Sequence, residues 1–399
     1  MLSKEKIILL ILACINFTHI MDFMIMMPLG PQLMKLFQIT PAQFGFAVSA
    51  YGFTAGASGF ASAFFVDKFD RKKILFFAYC GFVIGTFACA LAPSYFWLVA
   101  ARVLAGLFGG MIGAQVLSIV GDIVPYERRG AAMGTVMVAF SLASVVGVPA
   151  GLWLASKYSW HMPFLFIGFI GLLVIFLIAF FIPPITKHLQ NVDNGQKQNP
   201  LHILTNILKN PNQVRAITLS GVLIMGHFVI IPFIAPSLVS NIGYSQDNIF
   251  LIYLVGGALT IFTSPLVGKL ADKRGKYPIF VIFALLSFVP IWLITNLWIV
   301  PLWFVLVIAG LFFIAANGRM IPMQAMVSSV VSPQQRGGFM AINSSVQQLS
   351  TALAANIGGM MVYQVPDGRL ENYSLVGYLS ITLIGISIFL AKKLKPIDL

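Results

Sequence analysis

Gln190-Asn191-Val192-Asp193-Asn194-Gly195-Gln196-Lys197-Gln198-Asn199 is the core of the one long polar stretch in the chain. With a single apolar side chain among ten it has nothing to bury, so it reads as a linker. Outward from it the sequence turns apolar on both sides. Upstream lie runs at about 7–34, 43–66, 74–92, 95–122, 131–156 and 162–183; downstream lie runs at about 214–240, 247–271, 277–296, 299–326, 337–363 and 373–391. Each is close to the roughly 20 residues that a helix needs to cross hydrocarbon. The runs are continuous rather than alternating, which excludes a closed barrel. The expectation is an all-α membrane protein of twelve transmembrane helices: six in 1–183, a linker at 184–213 with a short surface helix at 201–209, and six in 214–399.

Composition supports a bilayer as solvent. Of 399 residues 59% are hydrophobic and 9% charged, and mean hydropathy is +0.91. A soluble domain carries about 25% charged residues. The formal charge of +13 would suggest nucleic acid in a soluble protein, but the Lys and Arg residues form short clusters between apolar runs and leave no domain to hold a duplex. Cys14, Cys80 and Cys89 lie inside apolar runs without paired spacing, which implies neither a disulfide framework nor a metal site. No cofactor motif is present. Lys4 and Lys6 precede a stretch too long for a signal-peptide core, so the first span is expected to be retained.

Orientation follows from the cations. With both termini cytoplasmic, 20 Lys and Arg fall on inside segments and only Lys35, Lys157 and Arg369 outside; Arg102 and Arg319 lie within spans. That asymmetry is the positive-inside pattern, and the expected location is a bacterial inner membrane.

The two sets of six spans repeat. Asp22-Phe23 with Pro31 matches His227-Phe228 with Pro236 at an offset of 205, Asp67-Lys68 matches Asp272-Lys273 at 205, and Pro125-x-x-Arg128-x-Gly130 matches Pro333-x-x-Arg336-x-Gly338 at 208. Halves of equal topology are parallel repeats related by an axis along the membrane normal, and such repeats place a substrate site between them near the midplane.

Several motifs resemble the major facilitator superfamily, and within it the drug:proton antiporter branch of twelve-span efflux proteins. Asp67-Lys68-Phe69-Asp70-Arg71-Lys72-Lys73 is similar to the family's loop between spans 2 and 3, with Ala63 and Asp70 where glycines are usual; Gly268 to Lys276 is a second copy. Arg102-Val103-Leu104-Ala105-Gly106 resembles the span 4 motif linked to proton coupling, and Gly147-Val148-Pro149-Ala150-Gly151 the span 5 antiporter motif. Trp160-His161-Met162-Pro163-Phe164 is similar to a further recurrent stretch, with His161 where Arg is common. The resemblance implies two pseudo-symmetric six-helix bundles and a transporter rather than an enzyme. It also implies a cytoplasmic gate in which Asp67, Arg71 and Asp122 latch onto the start of span 11 while Asp272 and Lys276 do likewise near span 5, with Arg128 and Arg336 adjacent, and a conformational role for Gly147, Pro149 and Gly151.

Charges inside a membrane cost at least about 2.5–3.5 kcal/mol, so they are functional candidates. Asp22 lies about 24 Å along span 1 and Arg102 about 10 Å into the antiparallel span 4, at 1.5 Å per residue, so the two reach similar depth. Asp22 is the expected proton carrier with Arg102 beside it; a static pair joining spans 1 and 4 is the alternative. His227 occupies the repeat position of Asp22 and titrates in the physiological range. Arg319 has no repeat partner and reads as an anion binder. His19 and Met26, at helical spacing from Asp22, and the amides of Gln115 and Asn317 complete the expected cavity. The expected function is a monomeric, proton-coupled exporter of small molecules working by alternating access among membrane lipids. The alternatives are a proton-independent facilitator, an importer, or a transporter of lysolipid-like molecules.

Overall fold

The structure is a computed structural model. It describes residues 4–62, 64–125, 128–186, 200–332 and 335–396, and for residues 67, 129–131, 137, 140 and 200–202 the backbone alone. Pro333 of the second repeat motif and the linker at 187–199 lie outside the described residues.

All twelve predicted segments are helical. The first half comprises α1 (Lys4–Ile25), α2 (Gly30–Phe37), α3 (Pro41–Ser62), α4 (Arg71–Ala90), α5 (Tyr95–Ile123), α6 (Arg129–Leu142), α7 (Val148–Lys157) and α8 (His161–Phe181). After α9 (Pro200–Lys209) come α10 (Pro211–Phe228), α11 (Ile231–Ser240), α12 (Ile249–Arg274), α13 (Lys276–Leu286), α14 (Phe288–Thr295), α15 (Leu302–Ser328), α16 (Arg336–Met361) and α17 (Tyr373–Lys392). The short helix α9 stands where the surface helix over 201–209 is predicted. Among the described residues nine helical stretches are long and apolar enough to cross a membrane. The other three spans, α3, α6 with α7, and α16, are richer in Gly, Ala and Ser.

Proline and capping chemistry set the breaks. α1 stops at Ile25 ahead of Pro28, and α2 restarts with Pro31 in its first turn; α10 stops at Phe228 and α11 restarts with Pro232 in its first turn. The first span of each half is therefore broken at a matching place, with a proline in the first turn of the restarted helix, the position it tolerates best. Asn210 caps α10, its Oδ1 accepting from the backbone N–H of Asn212 at 3.0 Å and Gln213 at 3.4 Å.

By residue contacts the chain forms two compact units: Met1–Ile25 with Ala50–His202, and Met26–Ser49 with Ile203–Leu399. In the first unit, Leu12 and Ile15 of α1, Leu75 and Phe82 of α4, Ile112 and Val116 of α5, Val136 of α6 and Ile178 of α8 form one buried core. α5 approaches α3 backbone to backbone. A Cβ at Gly106 would stand 2.4 Å from Tyr51 O, and one at Gly110 2.1 Å from Ala55 O, so only glycine fits.

Span 5 is interrupted. Between α6 and α7 residues Ala143–Gly147 form one π turn, followed by Pro149, which has no N–H to give to a regular turn. Beyond the turn, Gly147 faces Met21 and Phe17 of α1, and Gly151 faces Ile25, where a Cβ on Gly151 would lie 2.8 Å from Ile25 Cδ1. Gly147 and Gly151 thus seat span 5 against the stretch of α1 that carries Asp22.

In the second unit α15 packs against α12 and α13, and α10 against α16 and α17. Met26–Ser49 joins this unit rather than the half that its sequence position assigns it to. Glycine contacts hold it there. A Cβ on Gly45 would lie 2.6 Å from Ala355 O, one on Gly359 2.8 Å from Pro41 O, and Phe44 meets Phe233 edge-on at 6.1 Å. A hairpin of Tyr363–Gln364 with Leu370–Glu371 links α16 to α17, and the Asn241 amide binds both backbone groups of Leu370 at 2.7 and 2.8 Å.

Candidate functional site

Asp22, Thr86, Arg102 and Tyr51, from α1, α4, α5 and α3, converge in the first unit, all with no exposed surface. Arg102 Nη1 donates to Asp22 Oδ2 at 2.7 Å and to the Asp22 backbone oxygen at 3.3 Å. Thr86 Oγ1 donates to Asp22 Oδ1 at 3.1 Å and lies 3.1 Å from the Phe82 carbonyl. The guanidinium also stands over the Tyr51 ring, 4.4 Å from its centroid. Each carboxylate oxygen therefore has one donor. Arg102 Nε and Nη2 have no hydrogen-bond partner and rest on the aromatic face instead.

The geometry provides for two protonation states of Asp22. As a carboxylate it accepts from Thr86 and Arg102. With a proton on Oδ1, that proton points at Thr86 Oγ1, which turns its own hydrogen to the Phe82 carbonyl. Arg102 then remains held by the Asp22 backbone oxygen and by Tyr51. Asp22 Oδ1 and the Thr86 hydroxyl thus keep a partner in either state. Thr86 carried no signal in the sequence beyond being a hydroxyl on an apolar helix.

His19, one turn before Asp22, is half-buried, with its ring 6.1 Å from Tyr51 and 5.7 Å from Phe82. Its Nε2 and the Tyr51 hydroxyl are buried without partners, both against Gly109, where a Cβ would come within 2.9 Å and 2.4 Å of them. Gln115, further along α5, has both amide atoms buried and unpartnered. Met26 is fully buried but falls past the end of α1 and within the segment that packs with the second unit, so helical spacing from Asp22 does not apply to it.

The second unit holds its own buried arginine. Arg319 of α15, fully buried, donates from Nη2 to Nδ1 of His227, at the end of α10, at 3.2 Å. The imidazole stacks on Phe312 at 5.6 Å and 17°. Sequence spacing did not show this partnership. It repeats the first unit's arrangement, in which the first and fourth spans of a half bring together a buried arginine and the residue at the Asp22 repeat position. Asn317 does not join it; its amide donates back to the Phe313 carbonyl of its own helix at 3.3 Å.

The gate residues are only partly assembled. Arg71 Nε donates to Asp122 Oδ2 at 3.0 Å, joining α4 to the end of α5. The Asp67 side chain lies outside the described residues. Asp70 is the N-cap of α4, accepting from the Lys72 backbone at 2.9 Å and from the Ile185 N–H at 2.9 Å, so it also ties down the chain leaving α8. Arg128 is bonded by both nitrogens to Glu5 at 3.0 Å. Asp272 and Lys276 are exposed and form no ion pair with each other among the described residues, and Arg336, opening α16, keeps Nε buried and unpartnered. His161 donates from Nδ1 to the Ala90 carbonyl at 2.5 Å, fixing the start of α8 to the end of α4.

The profile of the Major Facilitator Superfamily matches residues 12–355 and, in a second alignment, 217–397. The chain belongs to this superfamily. It is 28% identical over 390 residues to the uncharacterized MFS-type transporter YwfA of Bacillus subtilis, covering 94% of this chain and 90% of the relative. It is 23% identical over 252 residues to a probable sugar efflux transporter of Helicobacter pylori, covering 63% of this chain and 62% of that one. The fold is similar to the crystal structure of a D-xylose-proton symporter, with a TM-score of 0.78 at 18% identity, over 99% of this chain and 98% of that chain. The superfamily member described here is thus an integral membrane transporter, not an enzyme.

Proposed function

We propose that this superfamily member is a proton-coupled exporter of small molecules, as in the drug:proton antiporter branch, with Asp22 carrying the coupling proton. The observation that carries the reading is the fully buried Asp22–Arg102 pair at 2.7 Å, in which Thr86 serves Asp22 in either protonation state. An intramembrane carboxylate facing the bundle interior is a proton-relay group by type. A merely structural pair needs no hydroxyl that can reverse its bond. The Gly147 and Gly151 seat of span 5 on α1, next to Pro149, gives a path by which proton occupancy alters helix packing beside Asp22. Export is favoured by that motif and by the name of the Helicobacter pylori relative. The Lys and Arg distribution supports a bacterial inner membrane with both termini cytoplasmic, and one chain supplies both halves of the fold, so a monomer suffices.

The test is uphill transport in proteoliposomes under an imposed pH gradient, with dyes, sugars and carboxylates as candidate solutes. Wild type should accumulate its solute and Asp22→Asn should not, because the amide keeps the shape and cannot titrate. Equal, gradient-independent movement in both proteins would make Asp22 structural and the protein a facilitator or a carrier of lipid-like molecules.

A further inference from the structure

Arg319 differs from Arg102 in one respect: it has no acid. In the second unit the described acidic residues are Asp247, Asp272, Asp367 and Glu371, and all four are exposed. The Met26–Ser49 segment contains none. The partner that Arg319 does have is neutral. Arginine only donates, so the Nδ1 of His227 at 3.2 Å must accept, and the ring proton then resides on Nε2. Two further guanidinium nitrogens, Nε and Nη1, are buried without any partner. The pair therefore presents nitrogen-bound hydrogens from an arginine and an imidazole, one full positive charge and no acceptor. His227 is half-buried and is the accessible edge of the pair. Asn343, on the helix α16 that packs against α10, likewise keeps both amide atoms buried and unpartnered.

Removing one partner of a buried ion pair leaves a charge that is strongly unfavourable, and this unit is built in that condition. An arginine fork without its acid is the complement of an oxyanion, which it binds through two parallel hydrogen bonds. We propose that the transported molecule carries an oxyanion, a carboxylate or a phosphoryl group, held by Arg319 with the imidazole Nε2–H of His227. Phe312, stacked on the same imidazole, limits the ring to one orientation and keeps that hydrogen directed. The proposal rests on the transporter reading but not on proton coupling through Asp22.

The full chain, purified in detergent, is titrated at constant ionic strength with sodium benzoate, with inorganic phosphate and, as the neutral control, with benzamide, while the unfolding midpoint is followed. An anion should raise the midpoint of wild type and benzamide should not, and the apparent dissociation constant should rise at least about tenfold in Arg319→Gln, with Arg319→Lys in between. A response to benzoate assigns a carboxylate; a response to phosphate alone assigns a phosphoryl group. No anion-specific rise in wild type, or an equal rise in Arg319→Gln, overturns the proposal. Unliganded stability gives a second reading. A guanidinium kept for a ligand is uncompensated in the free protein, so Arg319→Gln should unfold no lower than wild type; a fall of more than about 4 °C would make Arg319 a structural residue and overturn the proposal. Transport in proteoliposomes separates the two readings: a neutral solute moved equally by wild type and Arg319→Gln removes the anion and leaves the transporter, whereas failure of wild type to move any solute removes the transporter reading while the binding result stands.

Discussion

At the residue scale the Asp22 site depends on one hydroxyl and one missing side chain. Thr86→Val preserves volume and removes the group that serves both states of Asp22. Hydrogen bonds to charged groups contribute about 1.5–3 kcal/mol, so gradient-driven transport should fall about tenfold or more. Thr86→Ser, which restores the hydroxyl, should recover most of it. A hydroxyl that only packs would leave both rates at the wild-type value. Gly109→Ala drives a methyl into the Tyr51 hydroxyl and His19, and overpacking of this kind costs about 1–3 kcal/mol, to be read as a lowered unfolding midpoint. The Asp22–Arg102 pairing was legible because helical rise converts sequence position to depth. The His227–Arg319 pairing was not. The two buried arginines stand 217 residues apart, while the repeat motifs stand 205 and 208 apart, so aligning the halves sets Arg319 against Met111, about two and a half turns from Arg102. The contact of Arg319 with His227 therefore follows from the packing of α10 on α15 and not from the motif offsets.

At the element scale the unusual features are a cap and a wide turn. Asp70 stands where the family's loop usually has glycine, and the sequence marks it only as a departure. The structure gives it a capping role and a bond to the chain after α8. Asp70→Ala should therefore lower stability by about 0.5–2 kcal/mol and Asp70→Asn by less, measured as unfolding midpoints. The π turn at Ala143–Gly147 follows from no propensity rule, since each of its residues is compatible with an ordinary helix. It has a rotational effect. One residue is about 100° of helix, so deleting Val145 should re-phase α6 against α7 by about that angle. Helix content by circular dichroism should be unchanged, while transport is lost because α6 and α7 no longer present their α1-facing residues together. Retention of transport would show that the turn does not set the facing of span 5.

At the scale of the whole molecule, twelve helices and a two-fold repeat were legible from apolar run lengths and from three motif offsets. The assignment of Met26–Ser49 was not, because chain order divides the protein at the polar linker, whereas contact follows the small residues Gly45 and Gly359 that let α3 and α16 touch. Charge placement also separates exposed from buried pairs. Arg128 is 61% exposed in its pair with Glu5, and an exposed ion pair contributes well under about 1 kcal/mol. Glu5→Gln should shift the unfolding midpoint little, and still less at high salt. The interior is electrically unequal: Asp22 neutralises Arg102 in one unit, while Arg319 leaves the other with a net positive charge. A charge crossing the full field gains about 2.3 kcal/mol per 100 mV. On the proposed anion site, the empty carrier is the form that responds to membrane voltage, and an anion bound at Arg319 silences that response. Transient currents recorded from the unloaded protein should shrink in Arg319→Gln, and the same currents in wild type should shrink when the anion is added.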